Sequence, residues 1–91
     1  MSVYAKAVAK WGHSAQLLMM AEECSELAAA AIRVVNRNRP GAEINLCEEI
    51  ADVEIMCEQA RAMGFSDMID EFKSEKIKRL ERRVAEPEGE R

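Results

Sequence analysis

The sequence predicts an all-α protein: an antiparallel helical bundle of one short and three longer helices, completed by oligomerisation. Apolar residues make up 48% of the 91 residues but aromatic residues only 4%, a composition that favours helices over a β-sandwich. Along three long segments the apolar residues recur at intervals of three and four, which is the helical period. A chain of this length forms one domain with a modest core, and association between chains is a usual supplement to such a core. We expect a single domain over residues 1–85 and a disordered polar tail over residues 86–91.

The first two helices are predicted on either side of Trp11-Gly12. Residues 2–10 can form the short first helix, which the glycine interrupts. Ser14 is predicted to cap the long second helix, which runs from residue 15 to about residue 36. Its predicted inward stripe is Leu17, Met20, Ala21, Cys24, Leu27, Ala28, Ala31, Val34 and Val35.

Pro40-Gly41 predicts a turn before the third helix. Asn45 is predicted to cap that helix, and Gly64 to end it as a left-handed residue after Met63. Ser66 is then predicted to cap a fourth helix that reaches about Val84. The predicted inward stripes are Leu46, Ile50, Val53 and Cys57 in the third helix, and Ile69, Phe72, Lys73, Ile77, Leu80 and Val84 in the fourth.

Charge and cysteine content narrow the classes of function. The net charge of −4 argues against binding to duplex nucleic acid, which requires a positive surface. Cys24, Cys47 and Cys57 form an odd set without metal-binding spacing, so we expect buried, reduced thiols in a cytoplasmic protein. No apolar run has the length of a membrane span and no signal-peptide pattern is present, so we expect no membrane association.

Two acidic motifs interrupt the apolar stripes of the second and third helices. Glu23 and Glu26 are three residues apart, as are Glu49 and Asp52, so each pair shares one side of its helix. On neighbouring antiparallel helices the four carboxylates would converge and repel one another. A hard divalent cation would remove that repulsion, and carboxylate oxygens suit Mg²⁺, with Mn²⁺ as a substitute. The alternative is two solvated acidic faces, and the residues alone leave both open; a di-iron site would need Glu-x-x-His motifs, which His13 does not complete.

These motifs carry a resemblance to a known family. The segment EECSE at 22–26, followed by EIAD at 49–52, resembles the EExxE…ExxD pattern of the MazG-like all-α nucleoside triphosphate pyrophosphohydrolases. The segment SEKIKRLERR at 74–83 is similar to that family's fourth-helix segment, with Lys76 and Arg79 at its basic positions. Ser74 and Ile77 depart from the Asn and Phe that are usual there. The resemblance covers roughly residues 10–83.

The resemblance implies hydrolysis of a nucleoside triphosphate to the monophosphate and pyrophosphate in a Mg²⁺-dependent reaction. By this carry-over the metal ligands are Glu23, Glu26, Glu49 and Asp52. Glu22 matches the first motif glutamate, and three roles stay open for it: orienting the attacking water, deprotonating it, or supporting the metal ligands without contacting the metal. Glu22 and Glu23 are the candidates for catalysis. The choice between them stays open, as do the number of metal ions, the base and sugar preference and the physiological role.

Basic and aromatic residues supply candidate substrate contacts. Lys76 and Arg79 are the predicted phosphate-binding residues, because cationic side chains on one stripe can contact phosphate oxygens. Arg83, Arg37 and Trp11 are weaker candidates, and for Trp11 packing in a core or interface is the favoured interpretation. Met19, Met20, Met56 and Met63 are expected in the core.

The working unit is predicted to be a homodimer or homotetramer. The second helix is apolar over much of its circumference, from Leu17 to Ala21 and again from Ala28 to Ala31. A monomer would leave such a surface exposed, whereas a two-fold partner would bury it. The alternative function, from a different class, is a noncatalytic helical interaction module, or a degenerate family member, that binds a protein partner.

Overall fold

A computed structural model describes residues 1–36 and 39–87, and most of that part is helical and none of it forms a strand. The all-α prediction is therefore confirmed. None of the described helices combines the length and the apolarity that a bilayer crossing requires. Of the predicted tail, residues 88–91 lie outside the described part. The elements are α1 (Val3–Trp11), α2 (His13–Asn36), α3 (Ala42–Ala60), a π-helical turn (Arg61–Phe65) and α4 (Ser66–Val84).

Gly12 is the single residue between α1 and α2. Its φ of 92° is a conformation that glycine adopts without steric cost, so the chain changes direction in one residue. The carbonyl of Gly12 accepts a hydrogen bond from the amide of Gln16 at 3.2 Å. Because helical bonding thus starts at Gly12, Ser14 lies inside α2, and its prediction as a cap is wrong. At the other end of α1, the side chain of Ser2 accepts from the amide of Ala5 at 3.1 Å.

The helices α2 and α3 form an antiparallel hairpin. Glu23 of α2 lies beside Asp52 of α3, whereas ten residues later along α2 the guanidinium of Arg33 donates to the Oδ1 of Asn45 at 3.0 Å. The residue later in α2 thus contacts the residue earlier in α3, so the two helices run in opposite directions. Asn45 is consequently an interior residue of α3 that contacts α2, and its prediction as a cap is wrong because Gly41 occupies that position.

The chain changes direction again at Gly64, whose φ of 101° confirms a left-handed residue at the end of the third helical segment. Phe65, and not Ser66, is the N-cap residue of α4. The hydroxyl of Ser66 instead accepts a hydrogen bond from Arg61 at 3.1 Å. The same guanidinium forms a salt bridge with Asp70 at 2.8 Å, so the turn is held by side chains from both flanking segments.

Helix α4 makes its main contacts with the π-helical turn. All side chains of residues 70–84 are exposed, and Ile69 is half-buried. The predicted inner edge of α4 (Ile69, Phe72, Lys73, Ile77, Leu80 and Val84) is therefore not buried within one chain, apart from part of Ile69. The reason is that α4 continues beyond the turn without packing extensively against the other described helices.

The core lies where α1 and the π-helical turn meet the α2–α3 hairpin, and it is small. Its buried apolar residues are Val8, Ala30, Met56 and Ala60, and the side chains of Gln16 and Gln59 are buried with them. Of the methionines predicted in the core, Met20 and Met63 are half-buried, but Met19 is 43% exposed.

The inward face of α2 differs from the predicted stripe, because it includes polar residues. Of the predicted positions Met20, Leu27 and Val34 point inward, but Leu17 and Val35 are exposed. In α3, Leu46 and Val53 are half-buried, whereas Ile50 and Cys57 are exposed. All three cysteines are free and exposed, which corrects the prediction of buried thiols. The inward residues of α2 are Gln16, Met20, Glu23, Leu27, Ala29, Ala30 and Val34.

Candidate metal centre

Three carboxylates converge between α2 and α3. Carboxylate oxygens of Glu23, Glu49 and Asp52 all lie within 4.8 Å of one another, and the three residues are half-buried. Glu49 and Asp52 are one helical turn apart on α3, so their side chains share a face. Glu23 reaches the same point from α2 because the antiparallel hairpin brings its position level with Asp52.

The charges in this group act on one another. Hydrogen bonding to Glu26, burial, and hydrogen bonding and repulsion from Asp52 together raise the pKa of Glu23 to about 7. Burial is the largest cause that raises the pKa of Glu49, followed by repulsion from Glu26 and Asp52. One carboxyl oxygen of Glu49 is buried and accepts no hydrogen bond. The site thus concentrates negative charge that the described side chains do not neutralise.

Arg33 is the one cation, among the described residues, whose charge lowers the pKa of Glu49. Its guanidinium is anchored at 3.0 Å on the Oδ1 of Asn45 and leaves further N–H donors free. Neither role of Arg33, as the cation near Glu49 or as the hydrogen-bond donor to Asn45, was predicted from the sequence. The signal was present, because Arg33 follows Glu26 by seven residues and therefore lies two turns further along the same face of α2.

The donor set fits a hard divalent cation. Oxygen ligands suit Mg²⁺ and Mn²⁺; around octahedral Mg²⁺, with metal–oxygen distances of about 2.1 Å, adjacent oxygens are about 3.0 Å apart and opposite ones about 4.2 Å. The three oxygens lie within 4.8 Å of one another, so their separations would have to shorten by up to about 1.8 Å for all three to bind one ion. The unpartnered oxygen of Glu49 is a donor of the kind that a cation binds.

The remaining predicted site residues are distributed as follows. Glu26 is exposed and adjacent to Glu23, but it lies outside the group of three oxygens. Glu22 is exposed on α2. Trp11 is 57% exposed at the end of α1, with the Nζ of Lys10 5.5 Å from its ring centroid. Lys76, Arg79 and Arg83 are exposed on α4, and one chain does not bring them to the carboxylates; Arg37 lies outside the described residues.

Comparisons with protein-family models, with curated proteins and with solved structures find no match to this chain. The family resemblance consequently depends on the two acidic motifs and the basic segment of the sequence alone.

Proposed function

We propose that the chain is a Mg²⁺-dependent nucleoside triphosphate pyrophosphohydrolase that converts an NTP or dNTP to the monophosphate and pyrophosphate. The observation that carries this proposal is the convergence of Glu23, Glu49 and Asp52 from two helices. These three residues belong to the two acidic motifs that resemble the MazG-like family. Half-buried carboxylates that raise one another's pKa values are also a physical reason to consider a group of residues as a functional site.

Each group has a role in this reaction. Glu23, Glu49 and Asp52, with Glu26 beside them, would hold Mg²⁺, which when bound supplies positive charge to shield the polyphosphate and to activate water. Glu23 is one candidate for orienting or deprotonating the attacking water. Glu22 remains the alternative for this step. Arg33 is placed to donate to a phosphate oxygen while Asn45 holds its side chain.

The test is a panel of canonical and modified NTPs and dNTPs with Mg²⁺, in which monophosphate and pyrophosphate are measured separately. We expect both products in equal amounts, because the proposed cleavage falls between the α- and β-phosphates. Diphosphate and orthophosphate would indicate a different hydrolase chemistry.

Variants at the carboxylates connect activity to the site. Glu49→Gln and Asp52→Asn should abolish turnover and leave the helical circular dichroism unchanged. Glu71→Gln is the matched control, since Glu71 is exposed on α4 and should keep the parental rate. Wild-type turnover in both site variants would refute the assignment.

The proposed working unit is a homodimer or homotetramer that completes the helical bundle. One chain leaves Leu18, Ile32, Phe72 and Leu80 each more than half exposed. The same exposure favours the second candidate function, a noncatalytic interaction module whose acids are solvated charges. Thermal melting with Mg²⁺ or Mn²⁺ separates the two, because an ion that binds only the folded state stabilises it.

A further inference from the structure

The outer part of α4 is an amphipathic helix without a partner in its own chain. All side chains from residue 70 to residue 84 are exposed. Phe72, Ile77 and Leu80, together with Lys76, share one face of the helix, and Phe72 and Leu80 are 56% and 59% exposed. In proteins most of the stability of a helix comes from tertiary packing of its apolar face. A segment of this length with an apolar face therefore needs a surface to cover it.

The surface of one chain is large for its mass. A compact monomer of 10.2 kDa exposes about 5,300 Å², whereas this chain exposes 7314 Å². The excess of about 2,000 Å² is more than twice the roughly 800 Å² that each partner buries in an interface of standard size. The radius of gyration, 16.4 Å, likewise exceeds the value of about 12 Å that is typical of a compact domain of this length.

The outward face of α3 has complementary size and charge. Ile44, Cys47, Ala51 and Ile55 are exposed and recur at three and four residues, so they form one stripe. Helix α3 contains six acidic residues and no basic one, whereas residues 76–84 contain five basic residues and one acidic residue. Ile44 to Ile55 spans about 17 Å and residues 71–84 about 20 Å along their helix axes.

An open groove continues this stripe to the start of α4. Its lining includes Ile55, Glu54 and Glu58 from α3, and Ile69 and Lys73 from α4. The groove is thus apolar at its base and acidic along the α3 side. An apolar helix face flanked by lysine and arginine fits both properties.

We propose that the occupant is α4 of a second copy of this chain, which packs along α3 and its groove while the first chain's α4 does the same in return. The chain's own α4 lines one end of the groove with Ile69 and Lys73, but the side chains of residues 74–84 and the α3 stripe stay exposed. A two-fold axis makes the exchange reciprocal and closes the assembly. This interface would hold whether or not the chain is a hydrolase.

The first test is mass by size-exclusion chromatography with light scattering. The wild type should have at least twice the monomer mass of 10.2 kDa. Leu80→Asp should lower that mass, because it places a charge on the buried α4 face without touching the core of α1–α3. A wild type that stays at the monomer mass at high concentration would overturn the proposal.

Charge reversal identifies the two surfaces. Lys76→Glu with Arg83→Glu makes α4 less basic, and Glu54→Lys with Glu58→Lys makes the groove less acidic. Each double variant alone should lose mass, because the attraction weakens: the net charge of residues 76–84 falls from +4 to 0 in the first variant, and that of α3 changes from −6 to −2 in the second. Mixed in equal amounts they should recover mass, because one of the two contacts then has the wild-type charges and the other pairs the new glutamates with the new lysines. Control reversal of Lys6 and Lys10 on α1 should leave the mass unchanged.

Two outcomes would contradict the proposal. If both double variants keep the wild-type mass, the interface lies elsewhere, for example on the exposed face of α2. If each loses mass but the mixture does not recover it, the two surfaces do not meet. Circular dichroism verifies in every variant that helical structure is retained.

Discussion

Removing the carboxyl group of Glu23 should change how stability depends on pH. The pKa of Glu23 is about 7 in the folded chain, against an ordinary value of 4.5. Between these values the folded state keeps a proton that the unfolded state has released. The free energy of unfolding therefore falls as pH rises from about 4.5 to about 7, and becomes flat above that range. Glu23→Gln should lose most of this slope, and Glu49, whose pKa is also raised, should leave a residual slope of the same sign.

The size of the effect follows from the pKa. At about pH 6 the folded state has about ten protonated Glu23 side chains for each ionised one, and the unfolded state about one for every thirty. Unfolding there releases close to one proton. If a divalent cation requires the ionised form, its apparent dissociation constant should be about tenfold weaker at about pH 6 than at about pH 8.

Urea unfolding across this pH range, without metal, measures the slope in the wild type and in Glu23→Gln. Glu71→Gln is the control for losing an exposed carboxyl group, and it should keep the wild-type profile. Mn²⁺ binding measured by electron paramagnetic resonance gives the second quantity. Parallel pH profiles for the wild type and Glu23→Gln would show that Glu23 does not hold a proton in the folded state, and the reasoning would fail.

Three further predictions concern the turn, the core and the basic segment. Gly64→Ala forces a side chain into a left-handed conformation, at a cost of about 1–2 kcal/mol, so the melting temperature should fall by at least about 4 °C. Gly64→Asn should lower the melting temperature less. Equal melting temperatures in both variants and the wild type would mean that the turn does not require a left-handed residue. Gln59→Met removes a buried oxygen that has no hydrogen-bond partner, so chemical denaturation should show a gain of about 1 kcal/mol; a loss would mean that the oxygen is satisfied. Lys76→Ala and Arg79→Ala should each reduce triphosphate turnover roughly tenfold or more, as expected for a charge-assisted contact; unchanged rates in both would leave the segment without a role in substrate binding.

The sequence predicts the helices well because their ends are set locally. Gly12, Gly41 and Gly64 all have positive φ, and each separates two helical segments. The capping predictions at Ser14, Asn45 and Ser66 fail for the same reason, since glycine or the turn itself already determines where each helix begins. The observed range of α4, Ser66–Val84, nevertheless agrees with the predicted one.

The orientation of α2 could not be predicted from apolar periodicity. Its inward face includes Gln16 and Glu23, and the facing helix places Glu49, Asp52 and Gln59 inward. A prediction that places only apolar residues inward assigns the wrong face of each helix to the interior, because these inward positions are polar. Three of the four predicted ligands lie close together, which the acidic spacing anticipated, and their role as metal ligands stays a prediction. Functional residues that occupy core positions are a common reason for such a conflict.

The exposure of α4 has a consequence for how long an unassembled chain persists. Residues 73–83 contain six lysine and arginine residues on a helix that its own chain does not cover. Proteases cut segments that open locally, and a helix with few tertiary contacts opens most easily. A chain that has paired through α4 is protected there, whereas a newly made chain at low concentration is not. Turnover in the cell would then remove unpaired chains selectively, and the rate of synthesis would determine how much protein accumulates.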